Sequence, residues 1–415
     1  MYAIDKRDWQ ADHPEMSGRS QPDRYHAMDA LRAAMMLLGI FLHASLAYTT
    51  LPNGRYKDAS THVSLDVLVV FIHTFRMPVF FMLAGFFGSR LYERRGLGGM
   101  AKNRLKRILI PLLAAWIIVS PLTHAGYVFA RAVKESASLA SGLAAIHRMD
   151  MLKPGEIYHL WFLCDLLLFY PLILGLNWAI RRIGPERRNG LSSFFRRVLQ
   201  SPWRLGVLFV LTLLALVPAP LAPIGHLSVK QALLLQAAPF LFFAFGWLLY
   251  LHTDLLPTFR RRPWWKIGLA LPLVPLSYVA TRQTLAAGAG EGTLAHLVAS
   301  SADGAIVCLL MFGLTGVFLR YLDRPLGWVR YLSDASYWLY LVHYPLVLWI
   351  AGTLAATNLH AWIKLLATLG TAVPILLLTY HYGVRFTTVG TVLQGRKFAL
   401  CRLDSSAAVP SENQP

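Results

Sequence analysis

The chain has 415 residues, 56% of them hydrophobic and 15% charged, and a formal net charge of +19. Soluble domains carry about a quarter charged residues, so the composition excludes an ordinary soluble enzyme. The surplus of Lys and Arg, which in a soluble chain would suggest nucleic acid, fits the cytoplasmic loops of a membrane protein instead, and no nucleic-acid partner is expected.

In chain order, residues 1–27 come first. They are polar, with Asp5, Lys6, Arg7, Asp8 and Asp12. They have no apolar core of the kind a secretory signal needs, and read as a soluble tail. Apolar blocks then recur, such as Leu205–Val217 and Ala237–Leu251, which contain no charge. About 20 apolar residues match the bilayer thickness at the helical rise, and lipid offers the backbone no partners. The ~10-residue alternation of barrel strands is missing. About ten spanning helices are predicted, at 28–50, 66–88, 108–131, 157–180, 204–221, 233–251, 264–281, 295–319, 331–351 and 361–383. Pro272 and Pro275 interrupt the seventh. Residues 384–415 read as a second tail, Ser/Ala-rich at its end and expected to be unstructured. The fold class is thus an all-α polytopic integral membrane protein with one membrane domain over 28–383.

Lys and Arg fix the expected orientation. With the N-terminus inside, 29 fall in inner segments and nine in outer ones. This alternation places both termini in the cytoplasm. Any chemistry is then expected inside the bundle or at its mouth.

Ionisable side chains within spans are costly and usually face the bundle interior or a wet cavity. Those predicted here are Arg32, His43, His73, Arg76, His159, Asp165 and His343, with His124 and Asp303 nearer helix ends. Arg32 and His43 are eleven residues apart. At 100° per residue they share one helix face within about 20°, separated by roughly 16 Å. His73 and Arg76 are three apart, hence neighbours on a helix. Pro78 follows, and a break there is expected to open space beside Arg76. Bland readings stand beside each of these. A lone histidine can be an interhelical hydrogen bonder, Arg76 and Asp165 can be a structural ion pair, and Arg32 can snorkel to the interface. Gly96-Leu97-Gly98-Gly99 reads as a turn rather than a phosphate loop. The basic run Lys102–Arg107 can simply set topology. Hydrolase, zinc-protease and Walker signatures are missing, and no metal site is expected. Cys164, Cys308 and Cys401 support no disulfide framework.

Three segments carry a family resemblance. Met28-Asp-Ala-Leu-Arg32 through Phe41-Leu-His43 resembles the first helix of the membrane acyltransferase-3 family, where an Arg precedes a His by eleven residues. His73-Thr-Phe-Arg76-Met-Pro-Val-Phe-Phe-Met-Leu-Ala-Gly85 resembles its second helix, F-R-M-P-x-F-F-x-x-S-G, except that Ala84 replaces the usual Ser. Ser333-Asp-Ala-Ser336-Tyr-Trp-Leu-Tyr-Leu-Val-His343 resembles its late S-Y-x-x-Y-L-x-H segment. With His159-Leu-Trp-Phe-Leu163, the whole is similar to the branch that succinylates periplasmic glucans.

The resemblance implies an acyl-coenzyme A dependent O-acyltransferase of the bacterial inner membrane. It implies no permanently bound cofactor. The donor would be acyl-CoA, with succinyl-CoA favoured, and the acceptor a sugar hydroxyl of an osmoregulated periplasmic glucan. O-acetylation of another exported polysaccharide or lipid-linked sugar is the alternative within the class; a transporter or flippase is the alternative outside it. His43 would be the catalytic histidine, with Arg76 and His343 beside it. Arg76 would stabilise an oxyanion or hold the distal carboxylate of a succinyl group. Arg32, Arg90, Arg104, Lys106 and Arg107 would hold the donor's anionic groups. His73, His159, Asp165 and Ser336 would support or touch substrate.

Overall fold

A computed structural model describes residues 24–51, 55–148, 156–217, 229–286 and 293–395. Among these the regular structure is helical. The helices are α1 His26–Ser45, α2 Val63–Arg104, α3 Ile110–Ser136, α4 Leu139–His147, α5 Trp161–Arg182, α6 Pro185–Gln200 and α7 Arg204–Leu216. They continue with α8 Val229–Leu251, α9 Pro263–Ala270, α10 Leu273–Ala286, α11 Leu294–Tyr321, α12 Gly327–Leu354, α13 Ala361–Leu378 and α14 Thr388–Gln394.

All ten predicted segments contain helix, but among the described residues six helical runs are long and apolar enough to cross a membrane, or up to eight if each of two bent pairs is one span. The difference from ten has local causes. Val63–Ser136 is one such run; within it the backbone leaves helical geometry at Gly96, at φ 64° and ψ −175°. That is a positive φ which glycine adopts without steric cost. α7 is only 13 residues long, and it forms one of the bent pairs with α6, at 111°. The predicted seventh span is broken into α9 and α10 at the Leu271–Pro272 step, where proline supplies no N–H. Pro78, by contrast, does not break α2, which stays helical through it.

The bundle core is built on close helix crossings. α2 packs most extensively against α8, where a Cβ added at Gly85 would lie 1.9 Å from the Phe243 carbonyl oxygen and one at Gly246 only 1.8 Å from that of Met82. Small residues let membrane helices approach backbone to backbone. α12 packs against both α1 and α3, and α1 in turn against α2 and α11. α1, α2, α3 and α12 therefore share one interior.

The segment joining α1 to α2 is pinned from both sides. Asp58, fully buried, pairs with Lys364 of α13 at 2.7 Å, with 0% and 1% side-chain exposure. Lys57 donates to the Leu46 carbonyl at 3.1 Å. Burial pulls its ammonium down to about 8, against the attraction of Asp66. The predicted N-terminal tail lies outside the described residues up to position 23. The C-terminal segment differs from the expected unstructured tail where it is described: α14 folds and packs against α12.

Candidate active site

Three histidines from separate elements meet beside Tyr344. His43 comes from the last turn of α1, His159 from the short turn Tyr158–Leu160 that precedes α5, and His343 from the middle of α12. Ring centroids are 5.1 Å apart for His43 and His343, 5.2 Å for His159 and His343, and 6.4 Å for His43 and His159. Tyr344 lies 4.6 Å from the His43 ring and 5.1 Å from that of His159.

Hydrogen bonds distinguish the three rings. His343 Nδ1 donates to the carbonyls of Leu339 and Tyr340, both at 2.9 Å. His159 Nε2 donates to the Leu341 carbonyl at 3.2 Å. A carbonyl only accepts, so each of these nitrogens carries the proton and each ring's other nitrogen keeps a lone pair. Those nitrogens, His343 Nε2 and His159 Nδ1, are buried without a partner, as is His43 Nδ1. His43 alone has a ring whose tautomer no backbone carbonyl sets. Among the described residues no group of three or more His, Cys, Asp or Glu side chains has metal-binding geometry.

Arg76 is 7% exposed, and its Nε has no hydrogen-bond partner. Its guanidinium lies against α1 at Gly39, where an added Cβ would meet NH1 at 2.2 Å. Gly39 stands one turn before His43. The space for Arg76 thus comes from the missing side chain at Gly39, not from a break at Pro78. Arg76 and Asp165 form no ion pair. Asp165 faces Gln236 instead and lines neither of the two cavities described next.

Those cavities flank the histidines. One, of about 470 Å³, is basic and is lined by Arg24, Arg32, Arg90, Arg104 and Arg107, with Ser336 and Tyr340 deeper. Tyr340 touches the His159 ring at 5.6 Å. Arg32 donates to Ser333 Oγ at 2.6 Å and pairs with Asp29 at 3.0 Å. Arg104 stacks over Tyr170 at 4.4 Å. Arg107 donates to the Leu393 carbonyl at 2.6 Å, so α14 closes one wall. The other cavity, of about 290 Å³, is lined by His43, Arg55, Tyr56, Tyr127 and Tyr344 with aliphatic neighbours. Arg55 is held by both carboxylate oxygens of Glu156. That hydrogen bonding raises its guanidinium above the ordinary value.

Of the residues predicted from sequence, His43, His159, His343 and Arg76 gather in the interior between the cavities. Arg32, Arg90, Arg104, Arg107 and Ser336 line the basic cavity. Lys106 does not join them: it is exposed and lines neither cavity. His73 also lines neither cavity, but its ring lies within electrostatic reach of His43. His124 bonds Tyr158 at 3.3 Å. Asp303 accepts from Ser277 at 2.5 Å and Thr74 at 3.3 Å. Sequence reasoning gave no role to Arg24, Arg55, Tyr127, Tyr340 or Tyr344. The two α12 tyrosines had a signal, since Ser336, Tyr340 and Tyr344 repeat every four residues and lie on one face. Arg24, Arg55 and Tyr127 had none, because they reach the site only through packing.

The family model for the acyltransferase domain of the acyltransferase-3 type matches residues 25–381. The chain is 27% identical to glucans biosynthesis protein C of Escherichia coli strain SMS-3-5 / SECEC, over 90% of this chain and 95% of that protein. The same values hold for the protein of that name from strain K12 and from E. coli O9:H4 strain HS. No solved structure matches.

Proposed function

The chain belongs to the acyltransferase-3 family and is an acyltransferase, and from that premise we propose that it moves an acyl group from acyl-CoA, with succinyl-CoA the favoured donor, onto a hydroxyl of a periplasmic glucan. The enzyme assignment takes the place of the transporter reading. The likeness to glucans biosynthesis protein C supports a glucan as acceptor. The observation that carries the reading is that His43 lines the cavity with the polar aromatic wall, while its neighbour His159 touches Tyr340 of the cavity with five arginines.

Coenzyme A is polyanionic, and guanidinium groups bind phosphate in a charge-assisted, often bidentate way. The arginine cavity suits that moiety, and the orientation set by loop charge opens it to the cytoplasm, where acyl-CoA resides. The acyl thioester then reaches the histidines past Tyr340. A glucan hydroxyl enters from the opposite cavity. His43 takes the hydroxyl proton as the oxygen attacks the thioester carbonyl and a C–O bond forms. The tetrahedral oxyanion lies beside Arg76, whose buried charge stabilises it in a low-dielectric site. Collapse breaks the C–S bond, and the departing thiolate takes the proton from the His43 imidazolium. His343 Nε2 and His159 Nδ1 keep free lone pairs next to His43, and either one can accept the second N–H that the imidazolium gains.

The test replaces His43 with Gln, which keeps hydrogen bonding but takes no proton. Transfer from radiolabelled succinyl-CoA to glucan in membrane vesicles should fall by ~10²–10⁴ at equal protein level, with donor binding retained. Near-normal turnover by His43→Gln would remove the catalytic assignment, and His343 would be tested next.

A further inference from the structure

We propose that the 290 Å³ cavity on the His43 side is a subsite for a single neutral glycosyl unit, with Tyr127 and Tyr344 as its principal binding residues. The proposal rests on the acyltransferase reading above and specifies what its acceptor side accepts.

Four observations carry it. The first is the wall. The Tyr127 and Tyr344 rings meet edge to face at 6.4 Å and 73°, and their hydroxyls bond each other at 2.6 Å. Tyr158 stacks behind Tyr127 at 5.9 Å and fixes its plane. A pyranose has an apolar C–H face and a polar rim, which an aromatic body with a hydroxyl tip matches on both counts. The second is charge. The Arg55 guanidinium that lines this cavity is already neutralised by Glu156, and Arg131 binds the Arg55 carbonyl, not the cavity. The basic cavity across the histidines is the opposite case, with five arginines against Asp29 and Asp334. A phosphorylated or lipid-linked sugar would find no spare lining cation here, whereas a neutral one needs none.

The third is size. At about 290 Å³ the cavity is at the small end of ligand pockets, which run roughly 300–1,000 Å³. It takes one sugar unit while the rest of a polymer stays outside. The fourth is placement. His43 lines the cavity, and its ring is 4.6 Å from that of Tyr344. A unit seated on the tyrosines presents a hydroxyl at the imidazole.

The experiment uses the full chain in nanodiscs, with succinyl-CoA as donor and a neutral six-residue gluco-oligosaccharide as acceptor probe. Tyr127→Ala should raise the oligosaccharide KM at least tenfold and leave the succinyl-CoA KM within twofold. Tyr127→Phe, which keeps the ring, should give a smaller rise in the same direction, and it covers the case in which the alanine variant fails to fold. An unchanged oligosaccharide KM in both variants, or equal shifts in both substrates' KM, overturns the subsite. Direct binding of the oligosaccharide by thermophoresis separates this proposal from the reading beneath it. If the wild-type chain transfers nothing but binds the sugar, and Tyr127→Ala binds tenfold more weakly, the subsite stands and the donor assignment falls. Binding equal in wild type and variant, or tighter binding of the same oligosaccharide carrying a terminal phosphate, overturns it.

Discussion

Gly39→Ala is a one-methyl change that tests whether the position of Arg76 governs turnover. The new Cβ would lie 2.2 Å from Arg76 NH1, whereas ordinary contact begins at 3.4 Å, so the guanidinium must retreat by about 1.2 Å. The obstacle is the end of a long side chain, so the fold should tolerate the change. Alanine in a helix interior even gains roughly 1 kcal/mol of propensity over glycine. Catalysis should not tolerate it. A displacement of about 1 Å in a positioned group can lower the rate ~10²-fold, or about 2.7 kcal/mol of barrier. The assay is kcat/KM for succinyl transfer in vesicles at matched protein level. The control is Arg76→Ala with and without Gly39→Ala. If the methyl acts through Arg76, it should have no further effect once the guanidinium is gone, because the coupling then equals the whole single-variant loss. Turnover by Gly39→Ala within threefold of wild type, or a full additional loss in the Arg76→Ala background, would refute the reasoning.

Two further outcomes follow from the same geometry. Arg104→Gln with Arg107→Gln should raise the KM for the acyl donor with little change in that for the acceptor, whereas Lys106→Gln, at an exposed position outside the cavity, should change neither; a Lys106 effect as large as that of the arginine pair would place the donor elsewhere. Lys364→Met leaves Asp58 buried and uncompensated, and breaking such a pair destabilises by about 3–5 kcal/mol. Unfolding in mixed micelles should show that loss, and the Asp58→Leu/Lys364→Met double variant should recover most of it.

The membrane class and the helical content were legible in the sequence because the bilayer imposes long apolar segments whatever the tertiary arrangement. The count of ten was less so, since hydropathy does not register the bend between α6 and α7 or the break between α9 and α10. Much of the site was legible too. An arginine or histidine inside an apolar span is expensive enough to demand an interior position, and the eleven-residue spacing put Arg32 and His43 on one face before any packing was known.

What only the tertiary structure decided is which neighbours diverge and which strangers meet. His73 and Arg76 are three residues apart, yet His73 is exposed while Arg76 is buried against Gly39 of another helix. Lys106 and Arg107 are adjacent in sequence, but the π-helical turn Leu105–Leu109 sends only the second into the cavity. Tyr127 and Tyr344, 217 residues apart, share a hydrogen bond. Sequence periodicity fixes angles around one helix axis, and the bilayer fixes depth. The partner of each face is fixed only by how the helices pack, and that brought His43, His159 and His343 together.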